Sequence, residues 1–209
     1  MDDAAIATLL HLLVFVYWLG GDVGAFLASF VVTDPGQPAT ARLAAARLLG
    51  HIDMAPRSAL ILALPTGLTL AMTRGWFDID TPWLAAVWAF SGLWLVLLWH
   101  QHIKPAPWIR NADHALRIFL LAGLLAGAWL VEPAFLKAKF TLLAVALLAG
   151  LAIRRIITPL GPALGALAAG NAAAADPDIA RTLRRARPVV IGIWLTLLAA
   201  AWFGIARPT

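Results

Sequence analysis

A histidine, His11, lies inside the first apolar run of this 209-residue chain, Ala4 to Val32, and Trp18, Gly20, Gly21 and Asp22 follow it in the same run. An ionisable side chain in a membrane-spanning helix is costly, so it faces protein or a cavity and has a partner. Histidine is a versatile ligand for heme iron, copper or zinc. Lys139, near the start of a later apolar run, is expected at the same depth as His11, so one site could hold both. A second group, His51, Asp53, Arg57, His100, His102, His114 and Arg117, falls near the opposite predicted boundary. Heme ligation in a bundle uses one or two imidazoles from facing helices, with arginine or lysine near the propionates. The second group supplies both residue types, with His51 or His114 paired to His100 and with Arg57 and Arg117 as propionate partners. His100 and His102 stand about 200° apart on a helix, so at most one of them faces a given cofactor. No histidine pair has the i, i+4 spacing of a zinc-protease helix. The plainer readings are a solvated boundary histidine for the second group, a backbone-bonded imidazole for His11 and an outward-snorkelling side chain for Lys137 or Lys139.

The elements that must position these residues are membrane spans. The chain is 62% hydrophobic with a mean hydropathy of +0.84, more apolar surface than a soluble domain can bury. Runs of roughly 20 apolar residues are long enough to cross a bilayer. Six are found, at about 5–31, 55–75, 82–103, 114–132, 135–157 and 188–206. An all-α, polytopic helical bundle in a single domain is expected, with 159–187 as a cytoplasmic loop carrying an interfacial helix. The first run opens on Met1-Asp2-Asp3 rather than a basic segment and is long, which argues against a cleaved signal peptide. Thr33 to Thr40 reads as a turn, and 40–50 as a short helix with Arg42 and Arg47 on its polar side. The first, third and fifth connections carry most of the Arg and Lys, which predicts them cytoplasmic and both termini outside. Asp22 is expected to pair with Arg57 or Arg117.

Asp53, Arg57 and Gly67 recur sixty residues later as Asp113, Arg117 and Gly127, and WLAAVW at 83–88 matches FLKAKF at 135–140. A duplicated helix pair is a known membrane architecture. Gly20-x-x-x-Gly24 and Gly123-x-x-x-Gly127 permit close helix contacts. Of the ten tryptophans, Trp76, Trp83, Trp108, Trp129 and Trp202 read as boundary anchors, while Trp18, Trp88 and Trp94 are deep enough to border a planar ligand. The absence of cysteine excludes disulfides, iron–sulfur ligation and thiolate metal sites. The net charge of +5 sits mainly in loops, which favours topology and anionic lipid over nucleic acid as its explanation.

Three segments carry a family resemblance. LHLLVFVYWLGG at 10–21 resembles the opening helix of the HemJ-type membrane protoporphyrinogen oxidases and their CopD-type copper-resistance relatives. FLKAKFTLLAVALL at 135–148 is similar to that family's aromatic-x-x-x-Lys segment, and RTLRRARPVVIGIWLTLLAAAWFGIARP at 181–208 to its closing span. The resemblance covers about half the chain and implies a helical bundle that binds heme b, with His11 as ligand and Lys139 as the second functional residue. The chain departs from the pattern in an added pair of spans, in Val87 where the duplicate has Lys139, and in Phe26-Leu27-Ala28-Ser29 where a late first-helix arginine is expected.

The first expectation is therefore a heme-b-binding redox protein of the bacterial cytoplasmic membrane, an electron-transfer protein or a porphyrinogen oxidase. His11 would serve one face and His51, His100 or His114 the other, with a quinone or redox protein as partner. Copper transport through histidine is the second. Copper(I) prefers thiolates and thioethers, and the chain has no Cys and three Met. A non-catalytic subunit of a larger complex, or of a homo-oligomer, is the third.

Overall fold

The computed structural model describes residues 3–206 and is all helical. The helices are α1 (Asp3–Thr33), α2 (Ala39–Ile52), α3 (Met54–Thr73), α4 (Thr81–Ile103), α5 (Pro107–Leu130), α6 (Ala134–Ile156), α7 (Leu160–Ala168) and α8 (Ala172–Ala206). Six helical segments are long and apolar enough to cross a membrane, with α2–α3 and α6–α7 each counting as one bent unit. The fold is a polytopic helical membrane bundle.

Neighbouring helices pack in the order α1, α3, α4, α5, α6, α8 and back to α1, which closes a six-helix ring. Inside it, Val14, Trp18, Ile61, Trp94, Leu98, Leu124 and Leu147 form the main core. The outer faces carry large apolar side chains such as Leu12, Val16, Leu93, Phe119, Leu195 and Ile205, all exposed. Large apolar residues facing outward on α1, α4, α5, α6 and α8 are what a lipid solvent requires, while α3 has no exposed residue. Small residues set the closest approaches: a Cβ on Gly21 would lie 2.6 Å from Pro56 Cδ, and one on Gly24 3.1 Å from Ile52 Cγ2. Gly21 rather than Gly20 thus meets the neighbouring helices, and Gly123 faces open space while Gly127 lies against the Phe140 ring.

Two helix ends are set by glycines at positive φ. Gly75 (φ 66°) ends α3 with Trp76 N–H donating to Ala71 O, and Gly170 (φ 83°) ends α7 with Asn171 N–H donating to Ala166 O. Both are the six-to-one closure that a left-handed residue allows.

Three expectations change. The segment 159–187 is no loop: α7 occupies 160–168, and residues 172–187 are the first half of α8. Its alanines and leucines make a second apolar cluster (Val32, Ala163, Leu167, Ala175, Ile179, Leu183) with the ends of α1 and α2. Arg42 is not on a polar face but buried there, donating to Val32 O at 3.0 Å and pairing with Asp176 at 2.8 Å. The helix of the fourth span starts at Pro107, not near 114: proline suits a first helical position, and Asp113 is paired within the bundle with Arg117 and Arg154 rather than left in a loop. Met1, Asp2 and the closing Arg207-Pro208 lie outside the described residues.

Candidate functional site

The start of α1, the end of α3, the start of α6 and the end of α8 meet at one end of the ring and enclose a chamber of about 370 Å³. This size is typical of small-molecule and cofactor sites, ~300–1,000 Å³. Sequence periodicity makes the space. On α3, Ala63, Gly67 and Ala71 recur every fourth residue, and on α8, Ala200, Ala201 and Gly204 stand at i, i+1 and i+4 on one face; all six line the chamber. Opposite them Phe15, Trp18, Phe135 and Phe140 supply flat apolar walls, and Trp76 and Phe77 close the end. His11 and Lys139 are the two ionisable residues in the lining.

The His11 ring has a defined orientation. Its Nδ1 lies 2.9 Å from Thr66 Oγ1. The Thr66 hydroxyl proton is directed to Leu62 O at 2.7 Å, the usual back-bond of a threonine inside a helix. A hydroxyl has one proton: with that proton on Leu62 O, Thr66 Oγ1 accepts from His11 Nδ1–H. Nε2 is then the basic nitrogen and makes no hydrogen bond among the described residues. Metal-ligating histidines are held in this way, with one ring nitrogen donating to a fixed oxygen and the other presented to the metal. Gly67 leaves room for the ring: a Cβ there would stand 3.2 Å from His11 Cε1. The adjacent Pro65 has no N–H for Ile61 O, so α3 lacks one backbone bond beside the site.

Lys139 enters from the first turns of α6 and extends toward α8, where a Cβ on Gly204 would fall 2.6 Å from its Nζ. It has no ion pair or hydrogen bond among the described residues, so it does not simply neutralise a neighbouring carboxylate. At the rim, Arg74 donates to Thr8 Oγ1 at 3.2 Å. Glu132 and Lys137 are exposed on the connection and outer face. Of the deep tryptophans, Trp18 lines the chamber. Trp88 instead donates to Thr69 at 3.0 Å and Trp94 to Asp113 at 2.9 Å.

The second predicted group lies at the other end of the ring, about 22 Å further along α6 from Lys139 to Arg154 at the helical rise. His51 and His102 are in edge-to-face contact, ring centroids 5.0 Å apart, and His51 Nδ1 bonds to Arg47 O at 2.8 Å. The side chains of His100 and His114 are exposed and make no hydrogen bond, ion pair or ring contact among the described residues. The structure therefore brings His51 to His102, not to His100 or His114. Arg57 pairs with Asp53 and Arg117 with Asp113, both at i, i+4, so the repeated sequence motif makes the same ion pair twice. Neither arginine is paired with Asp22, whose buried Oδ2 has no hydrogen-bond partner among the described residues. The expected Asp22 partners are corrected because each arginine finds a carboxylate one turn away on its own chain segment. Among the described residues no three His, Asp or Glu side chains converge as a metal-binding group.

Thr66 was not visible as a functional residue in the sequence; its signal is the i, i+1 placement beside Pro65 in an otherwise apolar span. Comparison with known protein families, curated proteins and solved structures found no match to this chain.

Proposed function

We propose that the protein is a heme-b-binding redox protein of the bacterial cytoplasmic membrane, in which His11 would ligate the iron and Lys139 would pair with a carboxylate of the porphyrin. The carrying observation is the His11 imidazole, tied through Nδ1 to Thr66 with Nε2 free in an apolar chamber that also holds an unpaired ammonium. These residues fit the group. A flat apolar macrocycle suits walls of Phe, Trp, Leu and Ala, its iron needs a neutral imidazole nitrogen, and its acidic substituents need a cation at the edge. Bound heme would supply one-electron chemistry. The chain's own part is to orient the ligand ring, exclude water around it and hold the carboxylate through Lys139 Nζ. The resemblance of the first, fifth and last spans to the HemJ and CopD families agrees with this reading. A porphyrinogen taken as substrate in place of heme would use the same two residues.

The charge distribution supports an orientation. Arg42, Arg47, Arg57, Lys104, Arg110, Arg117, Arg154 and Arg155 lie at or near the end opposite the chamber, with Arg181, Arg184, Arg185 and Arg187 on the first half of α8. The chamber end has Arg74, Lys137 and Lys139. The positive-inside tendency then places the chamber and both termini outside.

Titration of heme b into purified, heme-free protein tests the reading. A saturable Soret band at one equivalent is expected. A spectrum that remains the sum of free heme and protein contradicts it. Copper transport and a purely structural subunit have no comparable observation in their favour.

A further inference from the structure

At the end of the ring opposite the chamber, α3, α4, α5 and α6 enclose a second cavity of about 350 Å³. Its chemistry is the reverse of the first. Arg57, Arg110, Arg154, Gln101 and His102 line it. The lining carboxylate, Asp113, is already saturated: Oδ1 accepts from Trp94 Nε1 at 2.9 Å, and Oδ2 from Arg154 at 2.7 Å and Arg117 at 3.2 Å. Gln101 uses its oxygen to accept the Ala106 N–H at 2.9 Å, so its amide donors are the part left over. Arg110 makes no ion pair among the described residues. Arg117, 2% exposed, has a buried Nη2 without any hydrogen-bond partner.

The cavity wall thus presents donors whose neighbouring acceptors are already engaged. Of the three guanidiniums in the lining, Arg57 pairs with Asp53 and Arg154 with Asp113, which also holds Arg117 outside the lining, while Arg110 has no ion pair among the described residues. The exposed Arg110 is thus the lining cation left without a carboxylate, beside the two paired guanidiniums. Planar guanidinium forks match the oxygens of phosphate, and Arg-lined pockets recognise it. Met54, Leu98 and Pro105 supply the remaining lining, too little apolar surface for a macrocycle.

We infer that this cavity binds a dianionic phosphate group, the chemistry of a phosphomonoester, at the end of the bundle opposite the His11 chamber. Two sources present that group here: a phosphatidate-type lipid headgroup, or free phosphate and soluble phosphomonoesters. The inference is independent of heme binding and is tested on heme-free protein.

The experiment measures binding in two arms. In detergent, inorganic phosphate is titrated against the purified protein by calorimetry, with potassium chloride at matched ionic strength as reference. In nanodiscs, lipid retained by the protein is measured by native mass spectrometry, comparing phosphatidate with phosphatidylcholine. Three proteins enter both arms: the unaltered chain, Arg110→Gln and Arg47→Gln. Arg110 has no ion pair to lose, so its variant should fold, and Arg47 is exposed outside the cavity lining and removes the same charge. Arg110→Gln is expected to weaken binding about tenfold, the loss of one charge-assisted phosphate contact, and Arg47→Gln to leave it unchanged. Binding in the detergent arm assigns a soluble phosphate, and binding confined to phosphatidate nanodiscs assigns the headgroup; either supports the inference. No binding in both arms, or equal weakening by the two variants, overturns it.

Discussion

At the scale of single residues, the site depends on a hydrogen-bond order that fixes one imidazole tautomer. Thr66 Oγ1 lies within hydrogen-bond distance of both Leu62 O and His11 Nδ1, and with its proton on Leu62 O it accepts from Nδ1–H. Replacing Thr66 with Val keeps the shape of the side chain and removes the acceptor. Heme affinity should fall about 10–100-fold, the usual cost of losing a residue that orients a metal ligand, with the Soret position nearly retained; titration with heme b checks it. An unchanged affinity would show that Nδ1 needs no acceptor there. Lys139→Met acts differently, because it removes the carboxylate partner and leaves the ligand ring alone. A weaker complex with the unaltered ligand-field spectrum is the expected result. The sequence already placed His11 and Lys139 at one depth, since depth follows from position along a span. It did not show Thr66, because that contact depends on how α1 and α3 are rotated against each other, and neither helix has enough polar residues to fix the rotation.

At the scale of elements, small residues create both the chamber and the helix contacts. Gly127 lies under the Phe140 ring, where a Cβ would be 2.9 Å from Cε1. Gly127→Ala should therefore push α5 from α6 and destabilise the protein by about 1–3 kcal/mol, the typical cost of overpacking, seen as a lowered thermal midpoint. Gly204→Ala meets the flexible end of Lys139 instead. That variant should keep its stability while displacing the ammonium, and so weaken heme binding as Lys139→Met does. The ion pairs behave as another unit. Asp113→Asn would leave Arg117 and Arg154 facing each other inside the bundle, and breaking a buried pair this way costs about 3–5 kcal/mol; loss of monodisperse protein during purification would be its sign. Hydropathy alone located six spans because lipid-facing residues are apolar regardless of neighbours. The first half of α8 escaped that reading: Asp176, Pro177, Asp178 and four arginines resemble a loop, yet Asn171 accepts the Ala174 N–H at its start and Ile179 and Leu183 bury against α7. Similarly, α5 begins at Pro107, and Asp113 within it draws partners from α4 and α6, pairings that no local sequence window contains.

At the scale of the whole molecule, a closed ring of helices separates two cavities of opposite chemistry. One is apolar with a single imidazole and a single ammonium; the other is polar and rich in guanidinium. The core residues Ile61, Trp94, Leu124 and Leu147 lie within the ring, which gives each cavity its own access at its own end. The proposed orientation is open to a direct check, since the chain has no cysteine. Single cysteines at exposed Asp78, in the α3–α4 connection, and at exposed Asn171, before α8, should react differently with an impermeant maleimide in intact cells. Asp78→Cys should label and Asn171→Cys should not; the reverse pattern would invert the protein. The central claim, that His11 is the heme ligand, is tested most directly by the absorption spectrum of His11→Ala beside that of His114→Ala, each expressed with ample heme and purified identically. His114→Ala should retain the Soret band of the unaltered protein, and His11→Ala should lose or shift it. An unchanged band in His11→Ala would contradict the claim.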